Sequence, residues 1–201
     1  GGAPIASDFR ISGRDASVRN DFVAVAADDT AGGYLVVWAD DRGADVYGRR
    51  VGADGAPAGP DFRISSIKVT ETADDPAVAW NDTAGEYLVV WADPREPLTR
   101  ARDIYGRRVS SAGATVASDI RISSNGAVSH DLQAVVAYNP AADEYLVAWA
   151  DKRSYATRGY DIYARRLSGT GTPVTGDFRI TGNGGVADEE WPAIAYNPTA
   201  D

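Results

Sequence analysis

The chain has 201 residues, 44% of them hydrophobic, and this composition predicts a globular protein with a substantial core rather than a disordered one. It contains no cysteine, which excludes disulfides, thiolate metal sites and cysteine nucleophiles. Its net charge of −9 and isoelectric point near 4.6 argue against nucleic acid and anionic membrane surfaces as partners. No apolar run is long enough to predict a membrane-spanning helix, so we expect no membrane insertion.

Four kinds of short stretch recur along the chain in a fixed order. The first, at residues 9–12, alternates apolar and polar residues, and the second, at residues 23–26, is small and apolar. The third is YLVVWAD at residues 34–40, and the fourth is DVYGRR at residues 45–50. Turn-forming residues separate them. The order then repeats, which predicts a repeat protein.

The third stretch is the most regular. YLVVWAD returns at residues 87–93 and, as YLVAWAD, at residues 145–151. It is rich in β-branched and aromatic residues and too short for a typical helix, so it predicts a strand. Neither of its faces is polar. A strand that is apolar on both faces needs cover on both, as in a sheet stacked between two others.

The repeat length and strand count predict an all-β fold, a β-propeller of four-stranded antiparallel blades without helices. The equivalent residues Asp8, Asp61, Asp119 and Asp177 are spaced by 53, 58 and 58 residues. We label the four strands of a blade A to D. Strand A is the small apolar stretch and lies innermost, strand B is YLVVWAD, strand C is DVYGRR, and strand D is the outermost. The predicted repeats cover residues 8–60, 61–118, 119–176 and, in part, 177–201, giving three complete blades between an orphan D strand and an orphan A strand. A stacked β-sandwich with repeated hairpins is the alternative.

The second repeat carries a family resemblance. Its turn at residues 81–85, the stretch from Tyr87, Arg95 and residues 103–105 resemble propeller repeats of the TolB type, which are themselves similar to WD40 blades. The blades here are longer, and two turns read Asn-Pro where that family has Ser-Pro-Asp-Gly. The chain also resembles repeat regions of large secreted bacterial proteins. These resemblances imply a propeller and an extracellular or cell-surface location, with no activity to transfer.

Most of the arginines are periodic. Of 18 arginines, 13 recur at fixed positions of strands C and D or just after strand B, as residues demanded by a scaffold do. The carboxylates predicted to pair with them are Asp40, Asp93 and Asp151, or Asp45, Asp103 and Asp161.

The non-periodic cations fall in the D–A and B–C loops, which leave a propeller on one face. Variable loops on a rigid scaffold are where binding usually resides. The candidate ligand-binding residues on this face are Arg100, Arg102, Tyr155, Arg158, Tyr160 and Trp191. The alternative is that these loops are solvated and tolerant of change.

Acidic residues precede strand A in every repeat and would ring the mouth of the central channel: Asp21, Asp74, Asp75, Asp131, Glu189 and Glu190. A possible Ca²⁺ site is assigned to Asp74, Asp75, Asp131 and Glu190, because hard oxygen ligands suit this ion. The same carboxylates could instead supply the acid and base of a glycosidase, or form a solvated rim. No other cofactor and no catalytic residue are assigned, and the only histidine, His130, is predicted to be solvated.

The sequence therefore predicts a non-enzymatic extracellular propeller that binds a glycan or a protein through its D–A/B–C loop face. The alternatives are a purely architectural module of a large surface protein and a glycoside-processing enzyme. Methionine is absent even at position 1, so we expect a processed product or part of a longer chain, with neighbouring domains or other chains completing the propeller.

Overall fold

The computed structural model describes residues 10–12, 20–41, 44–66, 73–95, 101–124, 129–182 and 187–198. Within them the strands follow the predicted order A, B, C, D three times. The first blade consists of β1 (Asn20–Asp28), β2 (Gly33–Asp40), β3 (Asp45–Val51) and β4 (Phe62–Arg63). The second consists of β5 (Asp74–Asn81), β6 (Glu86–Asp93), β7 (Ala101–Ser110) and β8 (Thr115–Arg121). The third consists of β9 (Ser129–Asn139), β10 (Glu144–Asp151), β11 (Asp161–Ser168) and β12 (Phe178–Arg179).

Each blade is an antiparallel meander in which strand A pairs with B, B with C, and C with D. Blades two and three join into one eight-stranded sheet through a short parallel contact between β7 and β9. These observations confirm the all-β propeller architecture. The prediction of helix-free blades is wrong at one point, because a four-residue helix, α1 (Tyr155–Arg158), lies between β10 and β11. None of the described helices is long and apolar enough to cross a membrane.

The core lies between the blades. One buried cluster joins the first blade to the second and includes Leu35, Ile64, Tyr87 and Trp91. A second cluster joins the second blade to the third and includes Ile122 and other side chains of β6, β7, β9 and β10. The B strands are buried on both faces, as their sequence predicts. Stacking of whole blades, rather than of two sandwich sheets, therefore supplies the apolar cover.

The flanking segments occupy the expected positions without forming strands. Ile11 packs on the cluster of Val36 and Trp38, and its carbonyl accepts a 2.7 Å hydrogen bond from Arg49 Nη1. At the other end, residues 194–196 lie beside β9, the inner strand of the third blade. Neither segment pairs with a described strand, so neither has the ladder of hydrogen bonds that defines a strand.

Candidate functional site

The starts of the A strands, the ends of the B strands and the starts of the C strands lie at one end of the molecule. In the first blade the register pairs Asn20 with Asp40, and Asp40 with Asp45. The D–A and B–C connections therefore emerge on the same side. We call this side the loop face.

Each inner strand begins at the loop face with a β-bulge. The register skips two residues of strand A opposite the buried tryptophan of strand B, between Asp21 and Ala24 in the first blade and between Asp74 and Ala77 in the second. The third blade has the equivalent irregularity opposite Trp149. A bulge bends its strand and re-aims a side chain, and bulges are over-represented beside active sites.

The first residue of each bulge has a left-handed backbone. The φ angles are 52° at Phe22, 51° at Asp75 and 56° at Gln133, and the equivalent residue of the last segment, Trp191, has a φ of 58°. None of the four is glycine, the residue that adopts this conformation without steric cost. We call these four residues the bulge ring.

A cleft of about 440 Å³ opens on the loop face over the starts of the inner strands. Its lining residues come from all three blades and the last segment: Phe22, Asp74, Asp75, Arg102, His130, Leu132, Lys152, Tyr160 and Trp191. The indole of Trp191 is 68% exposed and the ring of Phe22 is 47% exposed, which is unusual for such large apolar side chains. The cleft thus combines exposed aromatic surface with charged groups.

The charged groups of the second blade are arranged by their partners. Asp74 forms an ion pair with Arg102, so this carboxylate and this guanidinium largely satisfy each other. Asp75 Oδ2 accepts a 3.0 Å hydrogen bond from the backbone N–H of Gln133 in the next blade. Burial raises the pKa of Asp75, and the negative charge of Asp74 also raises it. The hydrogen bond from Gln133 and the positive charge of Arg102 lower this pKa, but by less than burial and Asp74 together raise it. Burial in the cleft therefore favours the protonated form of Asp75 relative to a solvated aspartate.

The B–C loop of the third blade forms one wall. Lys152 Nζ lies 4.4 Å from the ring centroid of Tyr155, and that ring meets Tyr160 edge-on at 5.5 Å. The backbone N–H of Tyr160 donates to Asp188 Oδ1 at 3.1 Å, which ties the loop to the last segment. Burial raises the pKa of the Tyr160 hydroxyl, and the charge of Glu190 raises it further, so the phenol is neutral near pH 7.

The structure brings together some of the residues predicted from the sequence and separates others. Tyr160, Arg102 and Trp191 line the cleft. Tyr155 stands behind Tyr160, and Arg158 ends helix α1 away from the cleft lining. The prediction for Arg100 falls outside the described residues.

The possible Ca²⁺ ligands are not brought together. Asp74 and Asp75 line the cleft, but Asp131 is fully buried below it, where it is hydrogen-bonded to Ser123 and Asp151. Glu190 is exposed beside Trp191. Within the described part of the chain no group of three or more potential ligands could hold a metal ion.

Five of the described periodic arginines pair with the predicted aspartates, whereas Arg107 and Arg165 of strand C pair with Asp119 and Asp177 instead. On strand D, Arg63 contacts Asp45 at 2.8 Å, and Arg121 and Arg179 contact the equivalent aspartates of their blades. After strand B, Arg95 and Arg153 contact the aspartate that ends the strand, each at 2.5 Å. Both predicted sets of aspartates thus serve the scaffold, on which the loop face is built.

The residues predicted from the sequence do not include Phe22, Leu132 or Gln133. Lys152 was placed on the loop face but not assigned to the binding site, and His130 was predicted to be solvated. Aligning the repeats gives the missing signal for the bulge ring. Its position reads Phe22, Asp75, Gln133 and Trp191 in successive repeats, although the alanine two residues further on recurs in three of them. A position whose residue type differs between repeats, while its neighbours recur, is not required by the scaffold and is free to serve binding.

No family model and no curated protein matches the sequence. Among solved structures, an N-acetylgalactosamine deacetylase from F. plautii in complex with blood group B trisaccharide aligns with a TM-score of 0.57 at 13% identity, over 85% of this chain and 55% of that one. Penicillium chrysogenum alpha-L-arabinanase complexed with arabinobiose aligns with a TM-score of 0.56 at 14% identity, over 74% and 45%. The alpha-L-arabinofuranosidase from Lactobacillus brevis aligns with a TM-score of 0.55 at 15% identity, over 82% and 54%.

Likeness at such low identity shows the fold alone, and these neighbours share the propeller-like fold of the chain. The chain spans about half the length of each of them. The resemblance to TolB-type repeats stays a prediction.

Proposed function

We propose that this chain is a non-enzymatic carbohydrate-binding module that works on a cell surface or outside the cell and receives a glycan in the cleft of the loop face. The proposal rests on one observation: exposed aromatic rings and polar groups line the same concave site. Trp191 and Phe22 offer flat apolar surface for the C–H faces of a sugar, and Asp75, Tyr160 and Lys152 offer acceptors and donors for its hydroxyls. The named ligands of two fold neighbours are sugars, which supports the same class.

The arrangement of carboxylates favours binding over hydrolysis. Glycosidases place an acid and a second carboxyl on opposite sides of the scissile bond, about 5–9.5 Å apart. Here the two carboxyls that line the cleft belong to the adjacent residues Asp74 and Asp75, and Asp74 is already paired with Arg102.

Glycoside hydrolysis is the second candidate function, because burial and the charge of Asp74 raise the pKa of Asp75 as a general acid requires. Three fold neighbours are named as carbohydrate-active enzymes, which supports considering it.

Incubation with arabinobiose, blood group B trisaccharide and a panel of polysaccharides tests the proposal when both retention and cleavage are measured. We expect retention without cleavage, and loss of retention in Trp191→Ala. As a matched control, Trp80→Ala removes an indole that packs between blades, away from the cleft, and any loss of binding there should follow its loss of stability. Cleavage that disappears in Asp75→Asn would favour the enzyme, and neither retention nor cleavage would favour an architectural role or a protein ligand.

A further inference from the structure

The bulge ring combines a common backbone with different side chains. Phe22, Asp75, Gln133 and Trp191 all adopt the left-handed conformation. Non-glycine residues persist in this conformation only where the surrounding structure enforces it, and they cluster at ligand clamps and active sites. The scaffold thus presents four different side chains in one strained geometry.

The four residues border one opening. All of them line a space of about 280 Å³ between the three inner strands and the last segment. Three of them, Phe22, Asp75 and Trp191, also line the larger cleft described above. A ligand seated in that cleft would therefore contact the ring.

Gln133 links two members of the ring. Its backbone N–H donates to Asp75 Oδ2 at 3.0 Å, and its side-chain Oε1 accepts a 2.7 Å hydrogen bond from the backbone N–H of Trp191. The Gln133 side chain is nearly buried, so it can fix its neighbours more firmly than a solvated residue could. Through these bonds one residue fixes the Asp75 carboxylate and the backbone that carries the exposed Trp191 side chain.

We propose that the bulge ring determines which carbohydrate the cleft accepts, an inference that rests on the proposed function. Trp191 and Phe22 act as stacking platforms, and Asp75 accepts hydrogen bonds from sugar hydroxyls. Gln133 is a positioning residue that holds Asp75 and Trp191 at a fixed separation. The cleft then distinguishes carbohydrates that differ in the placement of one hydroxyl. When that hydroxyl is missing, the protein group that would bond to it stays buried without a partner, which costs binding free energy.

Calorimetric titration of the unmodified chain and of ring variants with arabinobiose and with blood group B trisaccharide tests this inference. Gln133→Leu keeps the backbone bond to Asp75 but removes the acceptor for Trp191. We expect it to change the ratio of the two affinities by about tenfold or more, which corresponds to about 1.4 kcal/mol. Phe22→Gly should change the same ratio while the melting temperature stays level or rises, because glycine accepts the left-handed backbone freely.

The control is Asp82→Asn, which changes an exposed carboxylate in the turn after β5, at the end of the blade away from the loop face. It should leave both affinities unchanged. If the unmodified chain binds the probes and the ring variants keep the same affinity ratio, the ring does not set specificity, although the proposed function stands. If the unmodified chain binds neither probe nor any panel member, both proposals are overturned.

Discussion

At the scale of single residues, the tryptophan of strand B packs between blades and also bonds to its own strand. Trp91 is fully buried in the cluster that joins the first two blades. Its indole Nε1 donates to Asp93 Oδ2 at 2.7 Å, and Trp38 and Trp149 make the same bond in their blades. The aspartate in turn accepts from Arg95, so ring, carboxylate and guanidinium form one buried chain of contacts.

Replacing Trp91 by alanine is expected to lower the free energy of unfolding by about 3–5 kcal/mol, because it empties a large core site and removes the partner of Asp93. Chemical denaturation measures the loss. Trp191→Ala is the matched control, since that indole is mostly exposed and should change stability by only about 0.5 kcal/mol. A loss below about 1 kcal/mol for Trp91→Ala would contradict the stacking of blades described here.

A second residue-scale prediction concerns Asp131, which is fully buried where the second blade has Ala73. Burial raises the pKa of Asp131, and the charge of Asp151 raises it further. The hydrogen bond from Ser123 lowers this pKa, whereas the hydrogen bond with Asp151 and the charge of Asp103 raise it. The folded chain therefore holds this proton more tightly than the unfolded chain does. Its contribution to stability is full at acidic pH and is lost as the pH rises through the folded-state pKa.

We therefore expect Asp131→Asn to be more stable than the unmodified chain at about pH 8, with the difference shrinking toward about pH 4. Denaturation curves recorded across this range measure it. Thr115→Ala changes an exposed residue that does not titrate and is the control, so its difference from the unmodified chain should not vary with pH in this way. A stability difference for Asp131→Asn that is the same at every pH would show that folding does not raise the pKa of Asp131.

At the scale of elements, two of the three outer strands, β4 and β12, are only two residues long. Strand β4 has two ladder pairs with β3. Side chains supplement them: Ser65 Oγ donates to Asp45 Oδ1 at 2.7 Å and accepts from the backbone N–H of Val46 at 2.9 Å. The second blade repeats this arrangement with Ser123, Asp103 and Ile104. Polar side chains thus extend the C–D pairing beyond the strand itself.

Ser65→Ala should lower the free energy of unfolding by about 1–3 kcal/mol. The buried N–H of Val46 loses its hydrogen-bond acceptor, and the buried carboxylate of Asp45 loses a hydrogen-bond donor. Thr115→Ala, at an exposed position in β8, is the control and should cost only about 0.5 kcal/mol. Urea denaturation compares the two. Equal losses in both variants would mean that the serine does not anchor the outer strand.

The sequence predicted the elements better than the site. YLVVWAD specifies its strand because burial on both faces leaves few alternatives for an apolar, β-branched stretch. The bulge ring could not be predicted in this way, since Phe22, Gln133 and Trp191 are not residue types that favour the left-handed backbone they adopt. Helix α1 was missed because four residues carry no helical period.

At the scale of the whole molecule, equivalent positions are covered differently at the two ends. The first tyrosine of strand B is 42% exposed at Tyr34 in the first blade but 2% and 1% exposed at Tyr87 and Tyr145. The isoleucine after strand D is 53% exposed at Ile180 but fully buried at Ile122. In each case an adjacent blade covers the buried side chains. We therefore expect that further blades of the same kind would cover the exposed ones.

We expect these apolar faces to promote association of the 201-residue chain on its own. Tyr34→Lys together with Val25→Lys should lower the apparent mass in light scattering at a given concentration and leave the unfolding free energy nearly unchanged. Thr30→Lys with Ala31→Lys, in the exposed turn after β1, adds the same two positive charges and is the control. If the unmodified chain is a stable monomer at high concentration, its end faces do not drive association.

A ligand footprint would show directly whether the loop face is the binding surface. Titration with arabinobiose or blood group B trisaccharide, followed by amide chemical shifts, should perturb Asp75, Gln133, Tyr160 and Trp191, with little change at residues 53–60 on the opposite side. Shifts centred on residues 53–60, with the bulge ring unaffected, would contradict the account.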